Sequence, residues 1–158
     1  MNNFKHLLVV LVSIFLVSCG ILPFKSEIKE NHFRFENFKR YVGNPVESIH
    51  LMCFIKRPTS WTEPRQYLGG EHLLWVEANV FNQSSLIGGK KAFALFKVKL
   101  DSGKSYMLNR KIEGDKISIW IQESDTGLRV SGVVTTDLKI GQIDNNNLRV
   151  KRCRTSTI

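Results

Sequence analysis

The residues able to do chemistry are few, and their spacing does not bring them together. His32, His50 and His72 lie far apart, and no two share an H-x-H or H-x-x-x-H spacing. That spacing would aim imidazoles from one strand or one helix face at a common metal, so no metal site is expected. His6 stands before an apolar run near the start of the chain. No serine lies in a G-x-S-x-G elbow. Gly88-Gly89-Lys90-Lys91 is superficially similar to a phosphate-cradling loop but lacks the spacing that lets main-chain amides wrap a phosphate. The pairs Glu113/Asp115 and Glu123/Asp125 fall beside glycine in turn positions, and turn chemistry accounts for them. Asp144-Asn145-Asn146-Asn147 has the oxygen donors for Ca²⁺ but reads as a strand-joining turn. No catalytic residue is assigned, no cofactor is expected, and the chain is expected not to be an enzyme.

Three cysteines remain to be explained. Cys19 ends the stretch Leu16-Val17-Ser18-Cys19-Gly20, which closes an apolar run from Leu7 to Val17. The run is shorter than the roughly 20 residues of a membrane-spanning helix and suits the apolar core of a secretory signal. An ordinary cleaved signal and an uncleaved anchor are the alternatives; Pro23 and the charges from Lys25 onward argue against the second. The stretch resembles the lipobox of bacterial lipoproteins: Leu three before the cysteine, a small Ser one before it, Gly after. The resemblance implies that residues 1–18 are a removed signal peptide and that acylated Cys19 becomes the first residue. Each buried CH₂ contributes about 0.8 kcal/mol, and two acyl chains suffice for stable anchoring. Gly20 at the sorting position implies the outer membrane, with the domain facing the periplasm. Cys53 and Cys153 are then an even pair in an oxidising compartment, so a disulfide is expected and no thiol nucleophile is left. The loop it closes is worth up to ~4.7 kcal/mol on the chain-entropy model.

Composition sets outer limits. The chain has 158 residues, 42% of them apolar, a formal charge of +9 and a pI near 9.7. About 140 residues beyond the signal make one domain with enough apolar surface for a core. Removing the signal takes away only Lys5, so the domain stays basic. Such charge suits nucleic acid, anionic lipid headgroups or an acidic protein, or simply keeps a small domain soluble. Nucleic acid is not expected, because no zinc finger, RNP-like aromatic strand or long basic helix is present.

The elements follow from periodicity. Residues 20 to about 31 read as a tether able to hold the domain up to ~40 Å from a bilayer. Phe35, Phe38 and Val42 have helical spacing, although Phe33 and Phe35 alternate, and predict a short helix from Glu36 to Tyr41, ended by Gly43-Asn44-Pro45. From Glu47 the period becomes two. Ile49, Leu51, Cys53 and Ile55 share one face; His50, Met52 and Phe54 share the other. Leu74, Val76, Ala78 and Val80 form the core face of a strand from His72 to Val80. Ala92, Ala94, Phe96, Val98 and Leu100 do so from Lys91 to Leu100. Tyr106 and Leu108, then Ile117, Ile119 and Ile121, continue the pattern. A sixth strand begins at Leu128, Val130 and Gly132, and a last one spans Leu148 to Cys153. There Cys153 has the wrong parity for the face of Leu148 and Val150. Either a bulge intervenes or the disulfide leaves from the outer face.

About seven short strands with turns every ten or so residues predict an all-β sandwich. Three segments also resemble a known pattern. Gly69-Gly70-Glu71-His72-Leu73-Leu74-Trp75-Val76-Glu77-Ala78 is similar to the "pG-x-H-x-hydrophobic" strand of PEGA-like envelope domains. Leu100-Asp101-Ser102-Gly103-Lys104-Ser105-Tyr106-Met107-Leu108 is similar to their "xxGKxYxL" hairpin, and Ile117 to Gly127 to a strand and turn of small bacterial lipoproteins. The resemblance covers roughly residues 47 to 134 and implies an immunoglobulin-like or transthyretin-like sandwich without catalytic residues. The expected division is a signal peptide at 1–18, a lipidated tether and short helix at 19–42, and the sandwich at 43–158.

The residues that fall opposite the core faces are Phe54, Leu73, Trp75, Phe93, Leu95 and Trp120. As one patch they would mark an interface, since apolar patches and tryptophan are enriched there. The other reading is that the helix near Phe38 and the loop bearing Trp61 cover them. The basic set Lys90, Lys91, Lys97, Lys99, Arg149, Lys151, Arg152 and Arg154 would complement an anionic partner. Expected binding residues are therefore Trp75, Trp120, Lys97, Lys99 and Arg152. The expected role is a membrane-anchored, non-enzymatic binding or accessory module of the cell envelope. The alternatives are an inhibitor of a periplasmic or host hydrolase, and a glycan or lipopolysaccharide binder.

Overall fold

The computed structural model describes residues 26–60, 63–81, 88–140 and 146–158. Cys19, Trp61 and Asp144 lie outside them. The strand segments are β1 (His32–Glu36), β2 (Phe38–Arg40), β3 (Val46–Leu51), β4 (Cys53–Phe54), β5 (Arg57–Pro58), β6 (Arg65–Leu68), β7 (Gly70–Phe81), β8 (Lys90–Leu100), β9 (Ser105–Glu113), β10 (Lys116–Glu123), β11 (Val134–Asp137) and β12 (Lys139–Ile140). Among the described residues one helix, α1 (Asn146–Arg154), follows them.

The strands form an all-β sandwich. The first sheet has the order β11-β10-β9-β1-β6 and the second β12-β8-β7-β3-β2, while β4 and β5 make a separate hairpin. Neighbours are antiparallel except β1 and β9, which are parallel. Alternation decides what each strand buries. From the second sheet Leu74, Val76, Ala78, Ala94, Phe96 and Leu100 point inward; from the first, Phe33, Phe35, Leu108, Ile117, Ile119 and Ile121 meet them. These are the core faces that the period of two predicts.

Three segments depart from expectation. The helix expected over Glu36–Tyr41 is β1 and β2, one strand in each sheet. Phe33 and Phe35 alternate into the core, and the chain changes sheet at Asn37, whose Oδ1 accepts the Leu51 N–H at 2.9 Å. The helical spacing of Phe35 and Phe38 reflects that crossing. The sixth strand begins at Val134, not Leu128. Before it the Ser131 hydroxyl accepts the Ile121 N–H at 2.8 Å, which occupies a donor that a ladder would need. The last strand, Leu148 to Cys153, is α1. Arg149 and Cys153 stand one turn apart on its inner face, which resolves the parity conflict. The cations Lys151, Arg152 and Arg154 in its last turn suit the negative end of the helix dipole.

The start of the domain also moves. Ser26 to Asn31, assigned to the tether, are held against the first sheet. The buried Arg34 guanidinium donates to the Ser26 carbonyl and, at 2.9 Å, to its hydroxyl. The Gln66 amide accepts the Lys29 N–H at 2.7 Å and donates to the Glu27 carbonyl at 2.8 Å.

One carboxylate joins the sheets. Glu47 of β3 is 2% exposed and points inward. Its Oε1 lies 2.8 Å from Arg40 Nη2, and its Oε2 accepts from Arg110 Nε of β9, in the opposite sheet. The Arg110 guanidinium also stacks 4.0 Å over the Phe38 ring. Removing one partner of a buried pair strands the other, at a cost of about 3–5 kcal/mol. Glu47→Gln is therefore expected to lower unfolding free energy in urea by about 3 kcal/mol. Glu113→Gln, which breaks the exposed pair with Lys111, should change it by less than about 1 kcal/mol.

Candidate functional site

The outer face of the second sheet is built by the odd-numbered residues of β7 and β8. Leu73, Trp75 and Glu77 stand opposite Lys97, Leu95 and Phe93. Part of this face is closed by α1 and the segment after it. Cys153 is bonded to Cys53, with Cα atoms 5.4 Å apart. Met52, Cys53 and Cys153 form a buried cluster against Trp75 and Phe93. The chain breaks strand geometry at Met52, so Cys53 joins the outer cluster and not the face of Ile49 and Leu51. The Arg152 guanidinium lies 4.4 Å from the Phe93 ring centre and 5.1 Å from that of Trp75, a cation–π contact on both rings. Trp75 Nε1 donates to Thr155 Oγ1 at 3.1 Å. Beyond the helix the Thr157 N–H donates to the Leu73 carbonyl at 3.1 Å.

Beneath the helix lies a charged cluster that alternation alone does not reveal. Glu77 is 3% exposed; its Oε1 lies 3.4 Å from Lys91 Nζ, and its Oε2 lies 3.1 Å from Arg149 Nη2. Arg149 also donates to the Thr59 carbonyl at 3.3 Å. His50, registered opposite Glu77 on β3, is 3% exposed. Burial holds its pKa below the usual imidazole value; Glu77 opposes that shift, while Arg149 and Lys91 reinforce it.

The expected binding residues divide. Trp75 and Trp120 do not share a surface. Trp75 is on the outer face of the second sheet, and Trp120, even-numbered on β10, is on the outer face of the first, where its Nε1 donates to Gln122 Oε1 at 2.9 Å. The expected single apolar patch is therefore split between opposite sides of the sandwich. Trp75 and Arg152 are spent on fastening the helix. Lys97 and Lys99 are exposed on β8 beside Leu95, which is 39% exposed. Lys90 pairs with Asp115, and Lys91 and Arg149 with Glu77. Of the turn carboxylates, Glu113 pairs with Lys111 and Asp115 with Lys90. Glu123 accepts from Lys104 Nζ at 2.7 Å and from the Thr126 hydroxyl at 2.8 Å. The hydrogen bond from Lys104 holds its pKa below the usual carboxylate range. Among the described residues no group of three His, Cys, Asp or Glu is placed to hold a metal ion, and no helix is long and apolar enough to cross a membrane.

A concavity sits at the open edge of the sandwich. It has a volume of about 380 Å³ and is walled by Phe54, Ile55, Lys56, Tyr67, Leu68 and His72. No spacing in the sequence points to it, because the β4–β5 hairpin, β6 and the residues after α1 meet there only through the fold. No protein-family model, curated protein or solved structure matches the chain.

The buried imidazole gives a pH test. The unfolded chain takes up a proton at His50 near pH ~6.5, while the folded chain, with its pKa depressed, does so only at lower pH. Stability from this group is present above pH ~6.5 and is lost as pH falls toward the folded pKa, by up to about 1.4 kcal/mol per pH unit. The urea midpoint of the wild-type chain is expected to fall more steeply as pH drops below ~6.5 than that of His50→Gln. Parallel profiles would show that His50 carries none of the dependence.

Proposed function

We propose that this protein is a lipid-anchored, non-enzymatic binding or accessory module of the bacterial cell envelope. The observation that carries this is the sequence Leu16-Val17-Ser18-Cys19-Gly20 at the end of an apolar run of secretory length. The bonded Cys53 and Cys153 support it, since such bonds persist in oxidising compartments. On this reading the segment held from Ser26 onward keeps the domain near the bilayer, since the chain from Cys19 to Ser26 reaches at most ~25 Å. The surface offered to a partner is the strip of Leu95, Lys97 and Lys99, where an apolar contact is flanked by two exposed cations. That chemistry suits an anionic envelope component.

Cys19→Ala is expected to move the full chain from the membrane to the soluble fraction and to abolish labelling by a clickable palmitate analogue. Retention in the membrane with no label on the wild-type chain would overturn the anchor. For the binding strip, crosslinking from native envelopes should capture a partner whose recovery drops several-fold with Lys97→Glu/Lys99→Glu, because reversing both charges makes the contact repulsive. Equal recovery would move the interface elsewhere.

A further inference from the structure

The groove at the sandwich edge is apolar within and cationic at its mouth. Phe54, Ile55, Tyr67 and Leu68 supply apolar walls. The polar atoms of His72 are turned away from any ligand. Its Nε2 is 2.9 Å from the Leu68 carbonyl and its Nδ1 is 3.0 Å from Thr157 Oγ1. Burial pushes the Tyr67 hydroxyl up to about 12, so it stays neutral. The charges lie at the rim. Lys56 lines the groove, Arg57 is the exposed cross-strand partner of Phe54, and the Arg65 guanidinium stacks 3.8 Å over the Phe54 ring. None of the lining side chains is acidic; Thr157 and Ile158 complete the wall, and the Ile158 main-chain oxygen accepts the Lys56 N–H at 3.1 Å. A volume of 380 Å³ falls within the roughly 300–1,000 Å³ of small-molecule sites.

Two further features single out this edge. Ile55 and Lys56, the central residues of the β4–β5 turn, both have positive φ, 51° and 57°. A two-residue hairpin of that kind ordinarily takes Asn-Gly, and a β-branched residue there is a genuine outlier. Ile55 is nevertheless 72% exposed, and Leu68 across the groove 62%. Neither side chain contributes much to the core, so strain and exposure together mark a surface kept for contact. The chain also enters the domain here. Glu27 and Lys29 are held by Gln66, two residues before Leu68 on the same side of β6.

We infer that this groove takes one acyl chain of an anionic bilayer lipid, with Lys56 and Arg57 meeting the phosphate. An apolar slot with a cationic rim complements an amphiphile with a negative head. The choice of a bilayer lipid over a free fatty acid rests on the anchored reading, whereas the groove's chemistry does not.

The full-length Cys19→Ala chain tests this without its own anchor, so failure here is separate from failure of lipidation. Equilibrium dialysis below micellar concentration would use three probes: lysophosphatidylglycerol, lysophosphatidylcholine and laurate. Saturable binding of one lysophosphatidylglycerol per chain is expected, tighter than either other probe and weakened by raised salt. Leu68→Asp should weaken it by roughly tenfold or more, and Lys56→Ala/Arg57→Ala by several-fold with little change for lysophosphatidylcholine. Leu68 is largely exposed, so its variant should keep the wild-type melting curve. Ile55→Asn, better suited to positive φ, gives a second wall variant that should weaken binding while raising thermal stability. Absence of saturable binding, or binding unchanged in both wall variants, would overturn the site. Tighter binding of laurate would overturn the bilayer lipid as its ligand.

Discussion

The bond between Cys53 and Cys153 decides the form of the molecule outside its core. It ties the β4–β5 hairpin to α1 over the outer face of the second sheet. That face carries Trp75 and Phe93, which a bare sandwich would leave wet. A single nine-residue helix is short of the length at which helices hold together alone in water. Its stability here is tertiary: the covalent link, Arg152 across two aromatic rings, and Arg149 on Glu77. The hydrogen bonds from Ser156 and Thr157 to the Leu73 carbonyl extend the same closure along β7. They also complete one wall of the edge groove.

The long strands were legible because their alternation runs for many residues. Leu74 to Val80 and Ala92 to Leu100 keep parity throughout β7 and β8, and a slip by one residue would turn every side chain to the wrong face. Short segments offered no such redundancy. Leu148 and Val150 read as a strand from two residues, while the deciding contacts of that segment come from Glu77 and Cys53, both far away in sequence. Phe35 and Phe38 read as a helix because nothing local announces a change of sheet at Asn37. Parity correctly sent Trp75 and Trp120 away from the core. It could not say that they leave on opposite sides, because which sheet a strand joins is a matter of topology. The candidate sites follow the same division. The exposed lysines of β8 are visible in its alternation; the edge groove and the cluster under α1 exist only after folding.

The excess of positive charge is distributed by the same architecture. Two carboxylates, Glu47 and Glu77, are nearly fully buried, and each is held between two cations. One arrangement spans the two sheets, and the other fastens the helix. Buried ion pairs seldom stabilise more than apolar packing of equal volume, but they penalise every misaligned alternative. A sheet slipped against its partner would leave Glu47 without Arg110, and a helix seated differently would leave Glu77 without Arg149. Among the exposed cations of the described residues, Lys97 and Lys99 on β8 and Lys56 and Arg57 on the hairpin take no part in these two arrangements, and neither do Lys116, Arg129, Lys139, Lys151 and Arg154.

The point at which the chain enters the domain bears on how an anchored domain would sit. The chain enters the domain over the outer face of the first sheet, where Arg34 and Gln66 hold it. An anchor at Cys19, at most ~25 Å away, would draw that side and the adjoining edge groove toward the bilayer. A longer tether would allow any orientation, and the strip on β8 could as well lie against headgroups. Because Arg34 and Gln66 take up Ser26 to Lys29, the length of tether left to provide that freedom is reduced. On the anchored proposal, the hydrogen bonds made by Arg34 and Gln66 thus set which part of the domain stands nearest the tether.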